Sequence, residues 1–285
     1  MTNERPDQSP ITSPRSERVR RIAALAGRSA RRKQERFRVE GPQAVRSLLA
    51  ERPQATLDLY LTERADANHP ELTSLAAEAR VPVHLVDDAV LRAMVREGEG
   101  SLVTPQGAIA VGRLPREDPA AARSAIGALP ADGPVTVAVL HEVRDPGNVG
   151  TLIRTADAAG ADLVILTRTS ADPYAPKAVR ASVGSLFHLP VITGAEIDDV
   201  LDALAAAGIT AAATSGYADL DLFEAELPGR LAWLLGNEAH GLDVATLQAA
   251  PLAVRIPLAG RAESLNVHTA ATVCLFETLR RRGRE

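Results

Sequence analysis

Three groups of polar residues interrupt an otherwise apolar pattern in the second half of the chain, each after a predicted strand. The first holds Asn148 and Arg154, the second is GNEAHGL at 236–242, and the third is SLN at 264–266. Ligands of open α/β sheets bind at the carboxyl ends of the strands. The three groups are therefore candidates for one ligand site.

Each of these residues also has an ordinary structural explanation. Asn148 could cap a helix, Arg154 could be a surface helix residue, and Glu238 could be the acidic residue of a helix start. Ser264 is a good N-cap for the last helix, which the pattern predicts over about 265–282. Taken singly, the residues favour these structural roles.

Missing motifs argue against several other kinds of ligand. Dinucleotide-binding domains have a Gly-x-Gly-x-x-Gly turn, and the corresponding turn here, HEVRDPGNVGTLIRTADAAGA, lacks it. This absence argues against a nucleotide-dependent oxidoreductase. The sequence also has no Gly-Lys-Ser/Thr loop that would bind a nucleoside triphosphate. Cys274 is the one cysteine, so we expect it to be buried and apolar. No pair of the six histidines has metal-ligand spacing beside a carboxylate, and we expect no metal.

Strands and helices alternate along both halves of the chain. Over residues 18–112, short strands such as LDLYLT alternate with helical segments such as PQAVRSLLAE, which indicates a small α/β domain. Residues 113–134 are rich in Pro, Ala and charge, and predict a linker that could contain one short helix. Over residues 135–285 the strands are continuous apolar runs such as VTVAVL and LAWLLG, typical of a parallel sheet covered on both faces.

The distribution of charge is compatible with a polyanionic partner. The net charge is −4, yet residues 1–46 hold twelve Lys or Arg against five Asp or Glu. This basic segment could supply contacts to nucleic-acid phosphates, or it could be a solvated tail. We expect residues 1–17, which are rich in Pro, Ser and charge, to be disordered. The chain has no apolar run suited to a bilayer or a secretory signal, so we expect a cytoplasmic protein with no membrane partner.

Together and in this order, the three polar groups resemble the three motifs of the SpoU (TrmH) family of RNA 2'-O-ribose methyltransferases, in the SPOUT superfamily. The motifs occur here as DPGNVGTLIRTADAAGA, LLGNEAHGL and IPLAGRAESLNVHTAATVCLFE, and the resemblance runs from about Val135 to Leu279. A weaker resemblance over about 18–112, which includes RRKQERFRVEGPQAVRSLL, is to the RNA substrate-binding domain of many members. One departure is His268, where the third motif often has a small residue.

The resemblance implies an α/β catalytic domain with a deep C-terminal trefoil knot, a homodimer, and S-adenosylmethionine as cofactor. General rules of chain topology argue against knots, so the knot is expected from the family alone. The family's cofactor contacts are made by the backbone of the second and third motifs. Carried over to this chain, they fall on Leu235, Gly236, Ile256, Leu258, Leu265 and Asn266. The apolar residues of the third motif could equally be core residues.

The resemblance also implies that Arg154 is the catalytic arginine, with Asn148, Glu238 and Asn266 beside it. An arginine stays protonated at neutral pH and is a poor base there, so we rank anchoring of an RNA phosphate above proton acceptance. The two asparagines would position the ribose or cap loops. Glu238 would orient either the arginine or an amide of the knot loop.

The basic segment contains a dense cluster of candidate RNA contacts, which are Arg31, Arg32, Lys33 and Arg36. Aromatic residues make up 3% of the chain, so the leading domain is expected to recognise RNA shape and phosphates rather than to stack bases. Family members with a leading domain commonly modify ribosomal RNA, which favours 23S rRNA. A transfer-RNA 2'-O-methyltransferase and a non-catalytic RNA-binding protein are the alternatives, and the intact polar residues oppose the second.

Overall fold

The computed structural model describes residues 11, 13–96, 106–118 and 120–283. The chain divides into two units, one of Met1–Pro115 with Tyr174–Pro176 and the other of Arg116–Pro173 with Lys177–Glu285. Most of the segment predicted to be disordered, 1–17, lies outside the described residues. No helix among the described residues has the length and apolar character needed to cross a bilayer.

The described part of the first unit contains a four-stranded sheet and its helices. Its elements in chain order are α1 (Glu17–Ala24), α2 (Arg28–Gln34), β1 (Arg36–Glu40), α3 (Pro42–Glu51), β2 (Thr56–Leu61), α4 (Glu63–Asn68), α5 (Pro70–Glu78), β3 (Val83–Leu85), α6 (Asp88–Val95) and β4 (Ala108–Arg113). The strand order is β1-β4-β2-β3, with β4 antiparallel to β1 and β2, and β3 parallel to β2. This is the small α/β unit that the alternation predicted.

A buried arginine ties the first unit together. Arg38 on β1 is 1% exposed. Its guanidinium donates to the backbone oxygens of Ala23, Met94 and Val95 and, at 2.8 Å, to the carboxylate of Glu40. A buried charge is tolerated only when it is paired and hydrogen-bonded. Arg38 therefore joins α1 and α6 to the sheet.

The second unit is built around a seven-stranded sheet. Its elements are α7 (Ala121–Gly127), β5 (Val135–Leu140), α8 (Pro146–Ala158), β6 (Leu163–Thr167), α9 (Pro176–Ser182), β7 (Val191–Ala195), α10 (Ile197–Ala206), β8 (Thr210–Thr214), β9 (Leu220–Asp221), β10 (Arg230–Leu235), α11 (Val244–Ala249), β11 (Leu252–Arg255) and α12 (Val267–Arg282). The strand order is β7-β6-β5-β10-β8-β11-β9, and every neighbouring pair is parallel. The predicted parallel sheet is confirmed.

Helix α7 lies inside the segment predicted as a linker, 113–134. Its residues Ala122 and Ile126, one helical turn apart, are buried in the same apolar core as Val137 and Leu204. This part of the segment therefore packs in the second unit.

Two helices of the second unit begin at other residues than the sequence indicated. Helix α8 starts at Pro146, and its N-cap is Asp145 rather than Asn148, the possible cap in the sequence. Helix α12 starts at Val267, and its N-cap is Asn266 rather than Ser264. In both cases the cap is the residue whose side-chain oxygen reaches a free N–H of the first turn. Cys274 is buried, as predicted.

Candidate active site

Three loops lie at the carboxyl edge of the seven-stranded sheet. Strand β10 lies between β5 and β8, and β11 lies on the other side of β8. Because these strands are parallel, the segments that follow β5, β10 and β11 leave the sheet at the same edge. Those segments contain the first, second and third motifs, respectively.

The Glu238 carboxylate holds the start of α8 in place. It accepts hydrogen bonds from the backbone N–H groups of Arg144 and Asp145 and from the side-chain amide of Asn148, each at 3.0 Å. Partial burial opposes ionisation, but the three donors prevail and lower the pKa of Glu238. Glu238 is therefore ionised at neutral pH and joins the second motif to the first. Its partners are therefore in the first motif, whereas the sequence analysis expected the arginine or an amide of the knot loop.

Asp145 caps α8 and forms an ion pair. One carboxylate oxygen accepts from the backbone N–H of Asn148 at 3.0 Å, and the other lies 2.6 Å from Nζ of Lys177. The hydrogen bond from Lys177 is the main cause that lowers the pKa of Asp145. Neither residue was predicted from the sequence, although an Asp before a Pro is a known helix-start signal.

The second motif folds into a tight loop, and the first residue of this loop, Gly236, has no space for a side chain. Asn237 and Gly241 exchange backbone hydrogen bonds of 2.9 and 3.0 Å, and the Asn237 amide donates to the backbone oxygen of Glu142. A Cβ on Gly236 would lie 2.4 Å from the carbonyl carbon of Gly241. Gly236 therefore allows two backbone segments to touch at the end of β10.

Arg154 extends from α8 into solvent. Its side chain is exposed, whereas its neighbours Ile153 and Thr155 are buried. It forms no hydrogen bond or ion pair with any residue that the structure describes. The structure thus brings Asn148 and Glu238 into contact but does not bond Arg154 to either of them.

The start of α12 is connected to α8. The Asn266 side chain accepts from the backbone N–H of His268 at 2.9 Å, and Nε2 of His268 lies 2.9 Å from Oγ1 of Thr155. At the other end of α12, the indole N–H of Trp233 on β10 donates to the Thr278 hydroxyl at 3.0 Å. The third motif is therefore positioned against both α8 and the sheet.

The predicted cofactor residues suit an adenosine group. Leu235 and Gly236 are buried at the end of β10, Ile256 and Leu265 are half-buried, and Leu258 is 38% exposed. Residues 257–265 form no backbone-to-backbone hydrogen bond with any other described residue. Free peptide groups beside apolar side chains can recognise an adenine through its edge and its faces. The described residues also contain no cluster of His, Cys, Asp and Glu that could hold a metal ion.

The predicted RNA contacts divide into two kinds. Arg32, Lys33 and Arg36 are exposed. Arg31 is 2% exposed, and its Nη1 donates to the backbone oxygens of Leu25 and Ala26 at 2.9 and 2.7 Å. The prediction of an RNA contact was therefore wrong for Arg31, because its guanidinium is buried and bonds its own chain.

Comparisons with known proteins extend over both units. The model of the SpoU rRNA methylase family matches residues 135–276, and that of RNA 2'-O ribose methyltransferase substrate binding matches residues 38–116. A 23S rRNA (guanosine-2'-O-)-methyltransferase, RlmB, of Pseudomonas putida is 31% identical over 247 residues, which are 86% of this chain and 96% of that protein. A 23S rRNA (uridine(2479)-2'-O)-methyltransferase of Streptomyces viridochromogenes is 34% identical over 295 residues, covering 99% of this chain and 97% of that one.

The crystal structure of an AdoMet-bound rRNA methyltransferase from Sinorhizobium meliloti has the same fold. It matches with a TM-score of 0.80 and 30% identity over 96% of this chain and 98% of that chain. The sheet, the three motif loops and the leading unit thus define an S-adenosylmethionine-dependent RNA 2'-O-ribose methyltransferase. The chain belongs to the SpoU family.

Proposed function

We propose that this chain methylates the 2'-hydroxyl of one ribose in 23S ribosomal RNA. The support is that two relatives matched along 96% and 97% of their own length, leading unit included, are named as 23S rRNA methyltransferases. A ribosomal substrate would place the activity in the cytoplasm.

The catalytic part of the proposal rests on the exposed side chain of Arg154. An exposed guanidinium with no partner among the described residues is available to an RNA phosphate, and its planar donors fit phosphate oxygens in pairs. S-adenosylmethionine supplies an electrophilic methyl group, so the ribose hydroxyl must lose its proton as it attacks. An arginine is a poor proton acceptor at neutral pH. Arg154 therefore holds the phosphate and orients the ribose first, and accepts a proton only with help from that phosphate.

The other predicted catalytic residues act as positioning residues in this proposal. Glu238 and Asn148 keep the loop before α8 in one conformation, and so set the position of the helix that carries Arg154. Asn266 caps α12 through its side-chain oxygen, and its exposed side chain is also available to the ribose or the cofactor. Such preorganisation lowers the cost of orienting the reacting groups.

The cofactor site and the assembly belong to the same proposal. The methyl donor would be bound by Leu235, Gly236, Ile256, Leu258, Leu265 and Asn266. Residues 18–112 would bind RNA, 113–134 would connect the domains with α7 packed in the second unit, and 135–285 would form a knotted catalytic domain that works as a homodimer. Light scattering of the purified protein gives its mass in solution, and a monomer would refute the dimer.

Methyl transfer to defined RNA tests the function. The purified chain is incubated with radiolabelled S-adenosylmethionine and, in separate reactions, with unmodified ribosomal RNA and unmodified transfer RNA. We expect label in 23S rRNA alone, at one nucleotide that can be mapped as 2'-O-methylated. Label in transfer RNA would keep the chemistry and change the substrate, and no label in either RNA would favour a non-catalytic RNA-binding protein.

A further inference from the structure

An almost completely exposed tyrosine lies in the loop after β8. Tyr217 is 99% exposed. Half of the aromatic residues of the chain lie in its cores instead, each at most 3% exposed, namely Phe37, Tyr60, Phe187 and Trp233. Since a side chain at this exposure has almost no packing contacts, the described protein itself gives no reason for an aromatic ring at position 217.

This loop belongs to the edge of the sheet where the motifs meet. Strand β8 lies between β10 and β11, so its carboxyl end lies between the starts of the second and third motifs. A Cβ on Gly216, the residue before Tyr217, would lie 4.0 Å from the backbone oxygen of Glu263 in the third motif. Tyr217 is thus adjacent in the chain to a residue that lies close to the third motif.

The base of the loop is held firmly. The backbone N–H of Ser215 donates to the backbone oxygen of Val254 at 3.0 Å, and the backbone N–H of Tyr217 donates to the Ser215 hydroxyl at 3.2 Å. Arg255, at the end of β11, donates to the backbone oxygens of Ala218 and Asp219 at 2.9 and 2.7 Å. A ring on a fixed backbone loses little conformational entropy when a ligand covers it, and this favours binding.

We propose that Tyr217 stacks on a base of the RNA substrate close to the methylated nucleotide. This inference rests on the proposed function, because it takes RNA as the substrate. Base stacking on an aromatic side chain is the usual way in which proteins hold unpaired RNA, and it accepts any base because every base has a π-face. Asp219 follows in the same loop and Asp221 lies in the adjoining strand β9, so a neutral base suits this surface better than a phosphate does.

Two variants at position 217 test the inference. Tyr217→Ala removes the ring, and Tyr217→Phe is the matched control that keeps the stacking face and loses only the hydroxyl. The affinity of each variant for a 23S rRNA fragment that contains the mapped site is measured by filter binding, and the KM and kcat of methyl transfer are measured on the same fragment. S-adenosylmethionine affinity is measured by calorimetry. Because these assays separate RNA binding from transfer, loss of stacking is distinguishable from loss of function.

We expect Tyr217→Ala to weaken RNA binding and to raise the KM for RNA roughly tenfold, within the range of base stacking on an aromatic ring. Thermal stability and S-adenosylmethionine affinity should stay unchanged, and Tyr217→Phe should behave as the parent. Unchanged RNA affinity in Tyr217→Ala would overturn the inference while the proposed function stood. Equal losses in Tyr217→Ala and Tyr217→Phe would overturn it too, as would a loss confined to S-adenosylmethionine binding. If the parent protein methylated no ribosomal RNA, the proposed function would fail instead.

Discussion

At the scale of single residues, two charged side chains of the candidate site have opposite surroundings. Glu238 accepts three hydrogen bonds from the first motif, so its position is determined by the protein. Arg154 has no partner among the described residues, and its position is left to the substrate. A residue that is fully bonded within the protein suits a positioning role, and an unbonded cation suits the recognition of an anionic ligand.

We expect Arg154→Ala to lower kcat for methyl transfer by roughly a hundredfold or more, as does the loss of a donor that stabilises charge in other enzymes. The melting temperature and the affinity for S-adenosylmethionine should not change, because the side chain is exposed and bonds no described residue. Arg154→Lys is the matched control. It should recover only part of the rate, since lysine keeps the charge but loses the planar pair of donors. Turnover unchanged in Arg154→Ala would remove this residue from the mechanism.

The lowered pKa of Glu238 predicts a pH dependence of stability. Its folded pKa lies below its unfolded value of 4.5, so its contribution is complete above pH 4.5 and is lost as the pH falls through the folded pKa. Chemical denaturation of the parent and of Glu238→Gln should therefore differ most at neutral pH and converge in acid. A stability difference independent of pH would show that ionised Glu238 does not hold the loop.

At the scale of the secondary-structure elements, a contact between two side chains connects α8 to α12. His268 and Thr155 lie 113 residues apart, and their side chains are 2.9 Å from each other. The same histidine offers its backbone N–H to the cap Asn266. The contact therefore sets the start of the third motif relative to the helix that carries Arg154.

We expect His268→Ala and Thr155→Val each to lower the free energy of unfolding by about 1 kcal/mol, the usual net contribution of one hydrogen bond. The double variant should lose little more than either single one, because each substitution removes the same bond. Urea denaturation of the four proteins measures this cycle. Additive losses would show that the two side chains act independently.

At the scale of the whole molecule, basic residues of the first unit serve two purposes. Arg31 and Arg38 are buried and hold backbone oxygens, whereas Arg32, Lys33 and Arg36 are exposed. Removal of the complete basic segment would also remove buried core residues such as Val19, Leu25 and Phe37. Substitution of the exposed residues is therefore the cleaner test of RNA binding.

The triple variant Arg32→Ala, Lys33→Ala, Arg36→Ala should bind RNA more weakly and with a smaller dependence on salt. Each lost phosphate contact reduces the slope of log affinity against log salt by about 0.7 to 0.9. Filter binding between about 50 and 200 mM salt measures this slope. Arg31→Ala is the control. It should lower stability and leave the slope unchanged, and a parental slope in the triple variant would exclude these residues from the RNA interface.

The sequence by itself determined the class of the fold and the position of the motifs. Continuous apolar runs such as 135–140 and 230–235 specify strands buried on both faces, and the parallel sheet confirms this. Gly236 and Glu238 could also be recognised as candidate site residues from the sequence, because they directly follow a predicted strand. These features depend on neighbours within a few residues, so the order of residues along the chain suffices to find them.

Only the tertiary structure decided which polar groups meet. Glu238 accepts hydrogen bonds from residues 90 to 94 positions away, and no local sequence pattern predicts such a pair. Arg31 and Arg32 are alike in sequence, yet packing buries the first and exposes the second. Asn266, and not Ser264, caps α12 because the helix begins at Val267. Hydrogen bonds act over about 3 Å, so their partners are determined by the packing of distant elements rather than by chain order.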